Sequence, residues 1–254
     1  MKFCVLGSGS RGNATYLESG ETRILIDAGM SGIELQKRLA SIGVDLSSID
    51  AILVTHEHSD HCSGVAALSR KHQIPVYLTH GTANTGRCAG SFTLSCFNCE
   101  DRFEVGQLQI KAVAVPHDAA EPCQYLLSWQ HRTLGILTDL GSITPHVVEN
   151  YRACDSLVLE FNHDLPMLQA GSYPPPLKRR VGGDWGHLNN LQAAELLRQI
   201  DGARLENLVV AHISENNNGR EHAERALLAV LGDLDQVVWA QQDSGFDWLE
   251  VART

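Results

Sequence analysis

Residues 55–61 read THEHSDH, which crowds His56, His58, Asp60 and His61 into one short run directly after the apolar segment AILVT (51–55). The apolar segment reads as a buried strand, so the ligand-type side chains begin where that strand ends. In an extended chain residues i and i+2 point the same way, so His56 and His58 can converge on one metal. Asp60 and His61 follow a turn into the next helix and point elsewhere. The run therefore splits into two pairs, each able to serve a different ion. A solvated loop in which Ser59 and Asp60 cap a helix is the plain alternative. Four potential ligands in this order favour metal.

The 254 residues are 43% hydrophobic and 20% charged. No composition break or Gly/Ser linker divides them, which predicts one domain over 1–254 with a continuous core. No run is long enough to span a bilayer, and the apolar start is too short for a signal-peptide core, so no membrane association is expected. Seven cysteines, an odd and scattered set, do not read as a disulfide framework and point to a reducing cytoplasm. Net charge is −10, which argues against a generally nucleic-acid-coated surface but allows a local cationic track. Twelve histidines are roughly double the usual share.

Strands are predicted over 2–6, 14–18, 22–27, 51–55 and 75–78, and then through a strand-rich middle at about 92–98, 102–115, 124–129 and 132–138. Further strands are expected at 156–160, 207–211, 236–241 and 246–251. Helices are expected from a Ser31/Glu34 capping box to about Ile42, over about 62–72, from Thr144-Pro145, from Asn189/Gln192 to about Ile200, and over 220–231. Such runs of strands with helices between them suggest two sheets with helices packed outside. Three more polar residues stand at the carboxyl ends of apolar runs: His117 in PHDAAEP, Asp139 in TDLG and His212 in AHIS. Taken alone, TDLG reads more readily as an ordinary turn than as a ligand, and His212 could be a satisfied core histidine; together, after separate strands, the three fit a site.

DAG at 27–29, HEHSDH at 56–61, His117, Asp139 and His212 together resemble the five ordered motifs of the metallo-β-lactamase superfamily. That resemblance implies an α/β fold, a four-layer αβ/βα sandwich of two mixed sheets. It implies that His56, His58 and His117 hold one ion and that Asp60, His61 and His212 hold the other. Asp139 would bridge them, and Asp27 would orient the ligating histidines. In the commonest true β-lactamases a cysteine stands at the bridging position, so Asp139 points to hydrolases of phosphodiesters and thioesters. GSGSRGNATYLE (7–18), PHDAAEPCQY (116–125), LEFNHD (159–164), GHLNN (186–190) and AHISENNN (211–218) look like the YycJ (WalJ) branch. That branch is similar to ribonuclease Z and the phosphodiesterase PhnP, and its members are regarded as metal-dependent exonucleases acting on DNA.

The implied cofactors are two divalent ions, zinc or manganese with iron tolerated, sharing a hydroxide that attacks phosphorus. Asp60, His187 and Glu160 form the expected catalytic set. Glu160 ends SLVLE and His187 precedes a capped helix; in the ribonuclease Z pattern such a pair donates a proton to the leaving oxygen. The plain alternative is a sheet-end charge and a structural histidine. The segment SYPPPLKRRVGGDWGH (172–187) reads as the longest irregular stretch. Its Lys178, Arg179 and Arg180 could track a phosphate backbone and Trp185 could stack on a base. Arg11 and Asn13 in the Gly-rich turn could also meet phosphate. The expected partner is nucleic acid, with DNA favoured over RNA. A PhnP-like small or cyclic phosphodiesterase and a glyoxalase II-type thioesterase are the alternatives. CFNC (96–99) is a lone CxxC and predicts no zinc site.

Overall fold

The computed structural model describes residues 1–251. Its strands form two seven-stranded sheets. The chain divides into two compact units, one of Met1–Ala114, Ala119–Arg132 and Ala240–Thr254, the other of Val115–Asp118 and Thr133–Trp239.

The first unit begins with β1 (Lys2–Gly7), β2 (Ala14–Ser19) and β3 (Thr22–Ile26), an antiparallel meander joined by the loop 8–13 and a tight turn at 20–21. Then follow β4 (Ala51–Leu53), β5 (Pro75–Thr79) and β6 (Thr93–Phe97), each parallel to its neighbour. Parallel pairing requires crossovers. Helix α1 (Gly32–Ser41) supplies the first, and α2 (Ser59–Cys62) with α3 (Val65–His72) supply the second. Leu35 and Leu39 of α1 and Val65 and Leu68 of α3 pack into one buried cluster with Tyr16, Leu25, Ile52 and Val76. A short α4 (His80–Asn84), not expected from sequence, starts on a Thr79 side-chain cap. The expected strand 102–115 is two, β7 (Arg102–Val105) and β8 (Leu108–Ala114), folded as a hairpin, and β8 pairs antiparallel with β9 (Cys123–Trp129).

Two further expectations in this unit are corrected. The helix predicted over about 62–72 starts earlier and is broken at Ser63 and Gly64. Gly64 lies against the 28–30 backbone: its N–H donates to Ala28 O at 2.8 Å, and a Cβ there would come within 2.3 Å of Met30 O. The capping box of α1 is half formed. Ser31 accepts the Glu34 N–H, but the Glu34 carboxylate turns along the helix to Arg38 at 2.7 Å, the better i,i+4 partner.

The second unit contains β10 (Arg132–Leu137), β11 (Ser156–Glu160), β12 (Asn207–Ala211) and β13 (Val237–Trp239), consecutive and parallel from β10 to β13. Its crossovers are α5 (Pro145–Tyr151), α6 (Leu165–Ala170), α7 (Pro175–Val181), α8 (Asn190–Gln199) and α9 (Arg220–Leu231). Asn189 and Gln192 form the full reciprocal capping box of α8. Val147, Tyr151, Leu196, Leu197 and Leu227 of the helices are buried, as are Leu157 and Leu208 of the strands. The 172–187 segment is not irregular throughout. Helix α7 occupies its middle, with Pro175 and Pro176 in the first turn and Lys178, Arg179 and Arg180 in the last. Proline suits the start of a helix and cations suit its carbonyl end, so the composition that resembled a loop is that of a short capped helix. A last strand, β14 (Leu249–Glu250), returns to the first unit and pairs with β1, giving the sheet order β14-β1-β2-β3-β4-β5-β6.

Candidate metal centre

Each unit holds one group of metal-type side chains at the carboxyl ends of its parallel strands. In the first unit β4 ends at Leu53, the chain bends at Glu57, and His58, with φ of −61° and ψ of 147°, precedes α2. His56 and His58 therefore meet, with ring centroids 4.6 Å apart. The turn does not separate the second pair completely, since His61 returns to 4.2 Å from His56. Asp60 Oδ2 lies 3.6 Å from His61 Nε2.

Hydrogen bonds set which nitrogen of His61 is available. Its Nδ1 faces Asp27 Oδ2 at 2.7 Å, and Asn13 Nδ2, which can only donate, lies 3.1 Å from its Nε2. The proton therefore sits on Nδ1 and the lone pair on Nε2. Asp27 also accepts the Thr55 N–H and the Thr55 hydroxyl, both at 2.8 Å. Thr55 Oγ1 in turn lies 3.0 Å from His56 Nδ1. Thr55 ties both histidines to Asp27, a role that its position at a strand end did not signal. Asp27 is held at φ +61°, a left-handed conformation that Asp tolerates better than most residues. The third residue of DAG has a steric purpose: a Cβ on Gly29 would fall 1.6 Å from Asp60 O, so only glycine lets the two loops touch.

In the second unit, parallel register places Glu160 opposite Ala211 and Leu137 opposite Leu159. Asp139 and His212, each just past a strand end, thus share one sheet edge with Glu160, and both have left-handed φ (+56° and +52°). Donor atoms of Asp139, His187 and His212 lie within 4.8 Å of one another. His117 Nδ1 donates to Gly186 O at 3.0 Å, leaving Nε2 on the side of Asp139 Oδ1, 3.9 Å away.

Glu160 is the hub of this group. One oxygen accepts the N–H groups of Leu140 (2.7 Å) and Leu188 (3.0 Å). The other accepts the Asp139 N–H (3.1 Å) and faces His187 Nδ1 (3.0 Å) and His212 Nδ1 (3.4 Å). Full burial alone would push its pKa up, but the His187 charge and the hydrogen bonds from His187 and His212 outweigh that and hold it at about 2. Glu160 therefore stays a carboxylate at neutral pH and cannot itself supply a proton. A second histidine went unremarked in the sequence: His163, fully buried, is pushed down to about 4, by burial first and then by the His187 charge.

The residues expected to meet substrate are placed as follows. Asn13 is buried, donating to Asp60 O at 3.2 Å and exchanging hydrogen bonds with Gly9. Arg11 is exposed and pairs with Asp243 at 2.9 Å. Lys178 donates to Gln169 O at 2.7 Å, and Arg180 pairs with Asp118. Arg179 is exposed.

The donor sets fit divalent metal. His56, His61, His117 and His212 have one ring nitrogen engaged by hydroxyl, carboxylate or carbonyl, and they stand with the buried Asp139 and the half-buried Asp60, as metal-ligating groups require. Asp27→Asn keeps the shape but loses the charge facing His61. Metal affinity is expected to fall roughly 10- to 100-fold, read by competition with a chromogenic chelator. An unchanged affinity would leave Asp27 with a purely structural part.

The family model of the β-lactamase superfamily domain matches residues 22–213. Exodeoxyribonuclease YycJ of Bacillus anthracis is 34% identical over 235 residues, 91% of this chain and 89% of that protein. The crystal structure of the metallo-β-lactamase fold protein YhfI from Bacillus subtilis matches with a TM-score of 0.76 at 18% identity, covering 98% of this chain and 99% of that one. Zinc-bound PqqB from Methylobacterium extorquens matches with a TM-score of 0.72 at 17% identity, covering 98% and 100%. At such identities the solved structures speak to the fold alone. With its two mixed seven-stranded sheets, its ordered His/Asp groups and a relative of this identity over nearly its whole length, the chain belongs to the metallo-β-lactamase superfamily of metal-dependent hydrolases, in the YycJ (WalJ) branch.

Proposed function

We propose that this protein is an exonuclease that hydrolyses phosphodiester bonds of DNA in a reducing cytoplasm, acting as one catalytic domain. Two divalent ions, zinc or manganese, would be held by His56, His58 and His117 and by Asp60, His61 and His212, with Asp139 shared. Bound there, the ions would supply a water of lowered pKa and neutralise charge on the phosphate. Asp60 would act beside that water, and Asp27, Thr55 and Asn13 would hold the ligating side chains in orientation.

The observation that carries the reading is the His187–Glu160 pair beside Asp139. Glu160 remains anionic and accepts a hydrogen bond from His187 Nδ1 at 3.0 Å. With Nδ1 turned to that carboxylate, His187 would use Nε2 to hand a proton to a leaving oxygen. Phosphodiester cleavage expels an alkoxide that needs such a proton, whereas a thiolate leaving group from a thioester does not. Likeness to a protein named as an exodeoxyribonuclease and the exposed Arg179 favour a polynucleotide over a small diester, and seven free thiols suit a reducing compartment.

The test is incubation of the purified protein with Mn²⁺ or Zn²⁺ and end-labelled DNA or RNA, with a cyclic phosphodiester and a glutathione thioester alongside. Stepwise shortening of DNA is expected. Turnover of only the small diester, or only the thioester, would replace the reading with the corresponding hydrolase. Arg179→Glu is expected to weaken oligonucleotide binding across all sequences and to flatten the log Kd–log salt plot by about one unit or more. An unchanged slope would remove Arg179 from the backbone track.

A further inference from the structure

Trp185 is 62% exposed, an unusual placement for the largest side chain, and its backbone is held firmly. The turn around it folds back on the last turn of α7. Gly183 N–H donates to Arg180 O (3.4 Å), Gly186 N–H to Gly183 O (2.8 Å) and His187 N–H to Val181 O (2.9 Å). On its other side a Cβ on Gly141 would lie 2.3 Å from Asp184 O and 2.6 Å from Trp185 Cα, so the turn is packed backbone against backbone. The neighbouring Gly186 carbonyl orients His117, and His187, two residues on, is the partner of Glu160. Burial of apolar surface does not account for an indole left this exposed. It does have the properties of a platform: planar, carried on a firmly held backbone, and joined by short chain connections to His187 and the Gly186 carbonyl.

We propose that Trp185 is the stacking platform for the base of the terminal nucleotide, with Arg179 on the adjoining helix end meeting the flanking phosphate. This rests on the nuclease reading above and sharpens it, because it makes the enzyme sensitive to whether its end nucleotide carries a base. Every base offers a π face, so stacking is tolerant of sequence. Arg179 is the cation suited to the phosphate: Lys178 and Arg180 are engaged by Gln169 and Asp118, and the Arg179 guanidinium makes no hydrogen bond or ion pair among the described residues. Asp184 on the same turn is exposed and disfavours phosphate on its own side.

The experiment compares an oligonucleotide with the same strand ending in an abasic nucleotide, tested at each end, for the wild type, Trp185→Ala and Trp185→Phe. Bis(p-nitrophenyl) phosphate serves as a diester without a base. The wild type is expected to show a KM about tenfold or more higher for the abasic end, the value of one stacked base. Trp185→Ala should raise KM for the base-bearing end by the same factor and add little to the abasic end, and Trp185→Phe should recover most of the loss. Equal effects of Trp185→Ala on both ends, or no discrimination by the wild type, would overturn the platform and leave the indole as a structural residue or a protein-docking one. Failure to degrade any oligonucleotide while the nitrophenyl diester is consumed would instead overturn the nuclease reading, and the platform with it.

Discussion

Asp139→Asn is expected to lower turnover roughly 100- to 1,000-fold, the range that follows loss of a preorganised charge-stabilising group, while the melting temperature moves by no more than a few degrees. Asn is the informative substitution because Asp139 sits at φ +56°. Ala at that φ adds backbone strain of about 1–2 kcal/mol, whereas Asn tolerates the conformation and preserves the backbone N–H bonded to Glu160 at 3.1 Å. What Asn removes is charge. Oδ1 of Asp139 lies 3.9 Å from His117 Nε2 and 3.5 Å from His212 Nδ1, and in the function proposed above this one carboxylate would serve both cations. Metal content measured by elemental analysis should fall together with activity. Wild-type turnover with full metal content would remove Asp139 from the shared position.

The largest effect on stability is expected at Glu160. Glu160→Ala leaves the N–H groups of Asp139, Leu140 and Leu188 without their acceptor in a fully buried site. At about 1–3 kcal/mol for each stranded donor, the loss is a large part of a typical domain's stability, and this variant is expected to be largely unfolded. Glu160→Gln is the measurable one. Its amide presents donors where Asp139 N–H, His187 and His212 also point theirs, so an unfolding free energy several kcal/mol lower is expected from denaturant titration. The sign of the pH dependence follows from the lowered pKa. A carboxylate at about 2 when folded and in the ordinary range when unfolded adds stability above about pH 4.5, of order 3 kcal/mol. That contribution is lost as pH falls toward 2. In chelator-treated protein the gap between wild type and Glu160→Gln should therefore narrow from pH 4.5 downward. A constant gap would assign the loss to packing rather than to charge.

Much of the candidate site was legible because its residues announce themselves locally. His56 and His58 alternate along an extended segment, Asp139 and His212 each follow an apolar run, and the DAG glycine allows a contact that any side chain would block. What stayed hidden depends on partners far away in the chain. Thr55 matters because Asp27 reaches it, and Asn13 is occupied with Asp60 and His61 rather than displayed on a Gly-rich turn. Glu160 reads as a strand-end charge with a possible part in proton donation, and only its neighbours make it an acceptor that cannot donate. Local composition also misled in the 172–187 segment, where proline and basic residues describe the two ends of helix α7.

From the sequence by itself come the strands, the order of the ligand-type residues along the chain and the superfamily, because side-chain periodicity and short-range steric demands are properties of neighbouring residues. Only the tertiary structure decided the protonation of Glu160 and the tautomer of His61. Each of these depends on which donors and acceptors are brought within about 3 Å by segments dozens of residues apart, and no local pattern encodes that distance.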